Sequence, residues 1–132
     1  MRSVPDASIV AAALLDSGAI GEWSLSMLAV GDLLAPHLMP VEVASVLRRT
    51  ALAGTIAAEI AALAHRDLLD MRFKLLPYAP FAERAWELRH TVTTYDAWYV
   101  AIAEASGAEL LTLDMRLRRA PGLRCVVRTA PM

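Results

Sequence analysis

At 132 residues the chain is long enough for one domain with a real core and too short for two. Its 14 acids against 13 Lys and Arg leave a net charge of −1, without the basic balance of a general nucleic-acid binder. Hydrophobic residues make up 57% of the chain and mean hydropathy is +0.44. The most apolar stretches, residues 18–31 and 51–64, are nevertheless broken by Glu22 and Glu59 and fall short of a membrane span.

That excess apolarity suits a parallel sheet covered on both faces, with an exposed patch left for a partner. Cys125 is the only cysteine, which excludes an internal disulfide and a cysteine-based metal cage. No leader-like pattern opens the chain, so a cytoplasmic location is expected.

In chain order, residues 2–6 predict a short strand ending in Asp6, followed by an apolar helix over 8–15. Gly18 and Gly21 mark the turn before a helix over 22–30, and a short strand over 33–35 stops at Pro36. A helix over 40–53 closes at Gly54; Thr55 offers a cap to the next, which runs to residue 70. A strand over 73–78 precedes Pro80, then a helix over 81–90 and another over 95–106, capped by Thr93 or Thr94 and closed by Gly107. A strand over 109–113, a helical turn over 115–120 and a last strand over 124–128 complete the series. Strands alternating with helices, with no repeat or linker, predict a single α/β domain over residues 1–132. Its central parallel sheet is wound in the right-handed sense.

In such a sheet, ligands bind at the carboxyl ends of the strands. Asp6 ends the first strand and Asp114 the fourth; Glu42 and Asp96 open helices whose N-termini belong to the same edge. Four carboxylates therefore map to one rim. A buried ionised carboxylate costs several kcal/mol unless compensated, and an all-oxygen cluster suits a hard cation such as Mg²⁺ or Mn²⁺. Each acid also has a plainer reading. Asp6 and Asp114 fit as helix caps or turn residues, Asp96 complements a helix dipole, and Glu42 has Arg48 or Arg49 for a partner. Four independent caps, however, have no reason to share a rim.

The remaining acids, including Asp16 and Glu104, read as solvated surface. Trp86, Trp98 and Tyr99 read as core or contact residues rather than base-stacking platforms, and Met27, Met39 and Met71 as packing residues. His37, His65 and His90 show no metal spacing. After Asp114 come Arg116, Arg118, Arg119, Arg124 and Arg128 with no acid among them, while Lys74 is the only lysine. Arginine favours bidentate phosphate contact, although a GC-rich genome produces the same bias.

The segments VPDASIV, PHLMPVEVASVLRR, YDAWYVAIAEASGAELLTLDMRL and RAPGLRC, in this order and spacing, resemble a PIN domain over nearly the whole chain. More narrowly, they resemble the VapC toxins of bacterial VapBC toxin–antitoxin pairs. The resemblance implies a PIN-like three-layer α/β fold and a metal-dependent endoribonuclease. In it Asp6, Glu42, Asp96 and Asp114 hold Mg²⁺ or Mn²⁺ and hydrolyse phosphodiester bonds in transfer or ribosomal RNA, arresting translation. It also implies a homodimer neutralised by a VapB-type antitoxin, with operator DNA contacted only through the antitoxin and no membrane partner. Within that scheme Asp6, Asp96 and Asp114 are metal ligands, and Glu42 is a ligand or the group that deprotonates water. Ser8 and Thr112 orient carboxylates from behind, and Arg116 contacts phosphate.

Two positions depart from the family pattern: Pro5 replaces an aliphatic strand residue and lacks a ladder N–H, and Ser45 stands where relatives often carry asparagine. They keep open a non-catalytic PIN-like binding module acting through dimer and antitoxin contacts. A phosphoacceptor receiver would need a late lysine, and a haloacid-dehalogenase-type phosphatase an aspartate at position 8; neither is present, nor is a Walker-type loop.

Overall fold

The computed structural model describes residues 1–131. Five parallel strands, β1 (Arg2–Pro5), β2 (Asp32–Pro36), β3 (Phe73–Leu76), β4 (Glu109–Leu111) and β5 (Val127–Arg128), form one sheet in the order β3-β2-β1-β4-β5. The helices are α1 (Ala7–Leu15), α2 (Ala19–Leu28), α3 (Met39–Leu52), α4 (Ala58–Asp70), α5 (Ala82–Glu87), α6 (Thr94–Ser106) and α7 (Met115–Arg119). The chain winds outward from β1 to β3, returns across to β4 and then winds outward the other way. Right-handed crossovers thereby place α1–α4 on one face and α5–α7 on the other. The packing agrees: α1 touches α2, α3 and α4, while α6 lies on β1, β2 and β4 and against α5. This is the three-layer parallel α/β fold that the sequence predicts.

The core is aliphatic and continuous from layer to layer. Val4, Leu34, Ala35 and Leu110 of the sheet meet Val10, Met39 and Val43 among the helices of one layer and Val100, Ile102 and Ala103 of α6. Nearly all of α6 between Ala97 and Ala103 is buried, so its sequence reads apolar all round instead of as a stripe. Gly107 closes α6 at φ 64°, a left-handed conformation that suits glycine. Among the described residues, no helix is long and apolar enough to cross a membrane.

Several boundaries differ from the sequence expectation. Helix α4 begins at Ala58 with Ala57 as its cap, so Thr55 does not cap it. The helix expected over 81–90 is a 3₁₀ turn, Ala79–Phe81, followed by α5, which unwinds after Glu87 as Leu88 N–H divides between the Arg84 and Ala85 carbonyls. Strand β3 stops at Leu76 rather than residue 78. Strand β4 stops at Leu111, because Asp6 turns β1 into α1 and withdraws the partner. Strand β5 starts only at Val127, since Arg124 N–H is taken by Glu104 Oε2 at 2.7 Å.

Three side chains also differ. Asp16 is not mere surface: its carboxylate accepts from Gly18 N–H at 2.8 Å and Gly21 N–H at 3.0 Å, tying α1 to α2. A Cβ at Gly21 would lie 1.8 Å from the Asp16 carbonyl, so the α1–α2 corner requires glycine. Glu104, with only 9% of its side chain exposed, forms a two-bond pair with Arg84 at 2.7 and 3.1 Å that joins α5 to α6. Trp86 is 64% exposed and is not a core residue.

Pro5 sits in the centre of the sheet without breaking it. Asp6 N–H donates to the Leu111 carbonyl at 2.9 Å, and alternate residues of a strand point their N–H groups the same way. The missing N–H of Pro5 therefore faces β2, where pairing with β1 covers only Arg2 and Ser3; pairing with β4 runs through Pro5. The proline shortens one ladder and spares the one beside Asp6.

Leu110 is fully buried in β4 between the two helical layers. Leu110→Ala is expected to lower unfolding stability by about 2–5 kcal/mol with an unchanged denaturant slope, as read by urea denaturation.

Candidate active site

The sheet changes winding direction between β1 and β4, so the crevice at their carboxyl ends is the topological switch point. Asp6 follows β1 and is only 8% exposed. As the N-cap of α1 it accepts from Ser8 N–H at 3.0 Å and Ile9 N–H at 3.3 Å. The hydroxyls of Ser8 and Thr112 also donate to it, one on each carboxylate oxygen. Each hydroxyl in turn accepts from the loop after β4: Ser8 Oγ from Leu113 N–H at 3.1 Å, Thr112 Oγ1 from Asp114 N–H at 3.0 Å. Asp6 and the Asp114 loop are thus locked together through two hydroxyls. Burial, only partly offset by these bonds, pushes the Asp6 carboxyl above its ordinary range, and nearby Asp96 pushes it further.

Glu42, in the first turn of α3, is half-buried and accepts from the Tyr99 hydroxyl at 2.7 Å. Its carboxyl is raised first by burial and then by the charges of Asp96 and Asp6. Neither arginine considered as its partner serves: Arg49 donates to Ser45 Oγ at 2.9 Å, which also shows where the Ser45 hydroxyl is engaged. Tyr99 is 2% exposed, and its phenol is held far above its ordinary range by burial and by Glu42, so it stays a donor. Its role beside Glu42 was not evident in the sequence; its position three residues beyond Asp96, on the same helix face, was the available signal.

Asp96 lies in the first turn of α6, its N–H bonded to the cap hydroxyl of Thr93 at 3.1 Å. Burial raises its carboxyl and Asp114 raises it further. Asp114 caps α7 through Arg116 N–H at 2.9 Å and is gripped by the Arg116 guanidinium through two 3.2 Å bonds, which lower its carboxyl below the ordinary range. Arg116 is itself 90% exposed. Asp96 and Asp114 line one side of a groove of about 430 Å³, with Arg89, His90 and Thr91 along it.

The structure therefore brings all four carboxylates into mutual electrostatic range: Asp6 with Asp96 and Glu42, Glu42 with Asp96, and Asp96 with Asp114. It does not draw them into a closed cage. Among the described residues, no three His, Cys, Asp or Glu side chains form a tight ligand group. Of the four, and among the described residues, only Asp114 is ion-paired, while Arg116 lowers the Asp96 carboxyl from a distance.

Because the folded-state values of Asp6, Glu42 and Asp96 lie above the unfolded ones, their ionisation opposes folding. The stability linked to their protonation is complete below the unfolded carboxylate range and is lost as pH rises through the raised values. In chelator, the Tm is expected to climb as pH falls from neutral to roughly pH 5. The climb should be smaller in Asp96→Asn; a differential scanning fluorimetry series checks both.

The PIN domain family model matches residues 3–123. Ribonuclease VapC1 of Mycobacterium tuberculosis is 41% identical over 126 residues, covering 95% of each chain. Among solved structures, VapC20 of the same organism, described as a Sarcin-Ricin loop cleaving toxin, matches with a TM-score of 0.68 at 18% identity. That match covers 93% of this chain and 96% of its own. VapBC2 from Rickettsia felis, crystallised with a DNA fragment from its promoter, matches with a TM-score of 0.66 at 13% identity over 99% of this chain and 100% of its own. At such identities the two structures speak for the fold, while the family model and the 41% relative speak for descent. The chain belongs to the PIN-domain family and, within it, to the VapC ribonuclease branch.

Proposed function

We propose that this chain is a Mg²⁺- or Mn²⁺-dependent endoribonuclease that acts as the toxin of a VapBC-type pair. The observation that carries the reading is the gathering of Asp6, Glu42, Asp96 and Asp114 at the switch point, three of them with raised carboxyls and no ion-pair partner among the described residues. The donor set fits the proposed ion: all ligands are hard oxygens, and the uncompensated negative charge is what a divalent cation would neutralise. Asp6, Asp96 and Asp114 would hold it, with Glu42 as a further ligand or as the base. When bound, such an ion polarises the scissile phosphate and acidifies water.

The protein's own groups supply the rest. Ser8, Thr112 and two backbone N–H groups fix Asp6, leaving it little freedom to turn away. Tyr99 fixes Glu42, whose carboxylate, with its proton affinity raised by burial, is the group placed to accept a proton from the attacking water. Arg116, mostly in solvent, can exchange its exposed pair with Asp114 for a phosphate oxygen.

A structured RNA such as transfer or ribosomal RNA is the proposed target, with arrest of translation as the outcome; the description of VapC20 supports this. The VapBC2 assembly supports a VapB-type antitoxin as partner; a homodimeric toxin and operator contact through the antitoxin complete the proposal. The binding-module alternative drew on Pro5 and Ser45. It loses ground because Pro5 leaves the β4 side of Asp6 intact.

Two outcomes are expected. Mapping of new RNA 5′ ends after brief induction in a bacterial host should show discrete cuts with the unmodified protein. Those cuts should fall on the order of 10³-fold in Asp96→Asn. Tyr99→Phe, which removes one hydroxyl and little volume, should lower activity or Mn²⁺ affinity about 10-fold, measured with purified protein.

A further inference from the structure

The groove lined by Asp96 and Asp114 is also lined by Arg89 and His90, in the turn that follows α5. The Arg89 guanidinium lies 4.8 Å from the centroid of the Trp86 ring, and its Nη1 donates to the Trp86 carbonyl at 2.9 Å. Trp86 remains 64% exposed despite that cover, whereas Trp23 and Trp98 are partly buried. Among the described residues Arg89 has no carboxylate partner, in contrast to Arg84 of α5, which is committed to Glu104. Arg89 thus satisfies a carbonyl at the end of α5, but its charge, stacked on an exposed indole and lining the same groove as Asp96 and Asp114, has no carboxylate to neutralise it among the described residues.

We propose that Trp86 and Arg89 form a docking site for single-stranded RNA beside the scissile phosphate, with Arg89 on a backbone phosphate and Trp86 stacking a base. This rests on the ribonuclease reading and adds a substrate contact to it. The pairing of features favours a polynucleotide: a flanking phosphate needs a cation away from the acids, and every base has a face to lay on an indole. An acidic peptide would use the arginine but leave the exposed indole without a role.

The test is fluorescence anisotropy with a labelled single-stranded RNA of mixed sequence across a KCl series, using full-length protein in the Asp96→Asn background. Arg89→Gln should weaken binding and lower the slope of log affinity against log salt by about 0.7, the share of one phosphate contact. Trp86→Ala should weaken binding about 5-fold or more with the slope unchanged, and Trp86→Phe should restore most of the loss. Arg66→Gln, an exposed cation on α4, should leave both quantities as they were. Unchanged affinity and slope in both the Arg89 and Trp86 variants, while the unmodified protein cleaves RNA, would overturn the docking site and leave the ribonuclease reading standing. So would an equal loss in Arg66→Gln, or a Trp86→Ala effect confined to self-association or antitoxin binding. Absence of both binding and cleavage in the unmodified protein would overturn the two together.

Discussion

Asp6 is a carboxylate kept almost wholly out of water at the point where β1 becomes α1, and the rest of the site is arranged around holding it there. A buried carboxylate is stable only with its oxygens occupied. Here the donors come from two places, the first turn of α1 and the loop after β4, and the two hydroxyls that serve it are tied back to that loop. The same bonds that satisfy Asp6 therefore fix the position of Asp114. A rigid core beneath, with β1 and β4 paired through Pro5 and capped by α6, keeps the two loops in register.

Around that fixed point the charges divide by task. Glu104 and Arg84 join α5 to α6, and Glu109 and Arg128 join β4 to β5 at 2.8 Å, so these ion pairs are committed to the fold. Among the described residues, Asp6, Glu42 and Asp96 have no ion-pair partner, Arg116 acting on Asp96 only at a distance, and they repel one another. A fold gains nothing in stability from that arrangement, which is the usual mark of a site built for a ligand. Arg116 and Arg89 line the same groove as Asp96 and Asp114.

Much of this was legible in the sequence. The order of strands and helices follows from apolar runs separated by glycine and proline, and the acids declare themselves because each falls where a strand ends or a helix begins. Tyr99 was harder to read: an aromatic in an apolar helix looks like packing, and Tyr99 is indeed buried; only the three-dimensional approach of α3 to α6 gives its hydroxyl to Glu42. Glu104 was hidden for the same reason, since its partner lies twenty residues away on another helix. Trp86 misled in the opposite direction, because α5 is too short to bury both of its sides. The capping of α4 by Ala57 instead of Thr55 reflects a helix held by tertiary packing through Ala64 and Leu68, not by its local cap.

The account stands or falls on whether the acid rim is a cation site. Titrating Mn²⁺ into chelator-stripped protein by calorimetry at several pH values measures affinity and its pH dependence together. The account predicts saturable binding that tightens as pH rises, because carboxyls raised by burial coordinate only once ionised. It predicts that Asp96→Asn greatly weakens binding while its thermal unfolding remains cooperative. Equal Mn²⁺ binding by the two proteins, or none by the unmodified one, would contradict it.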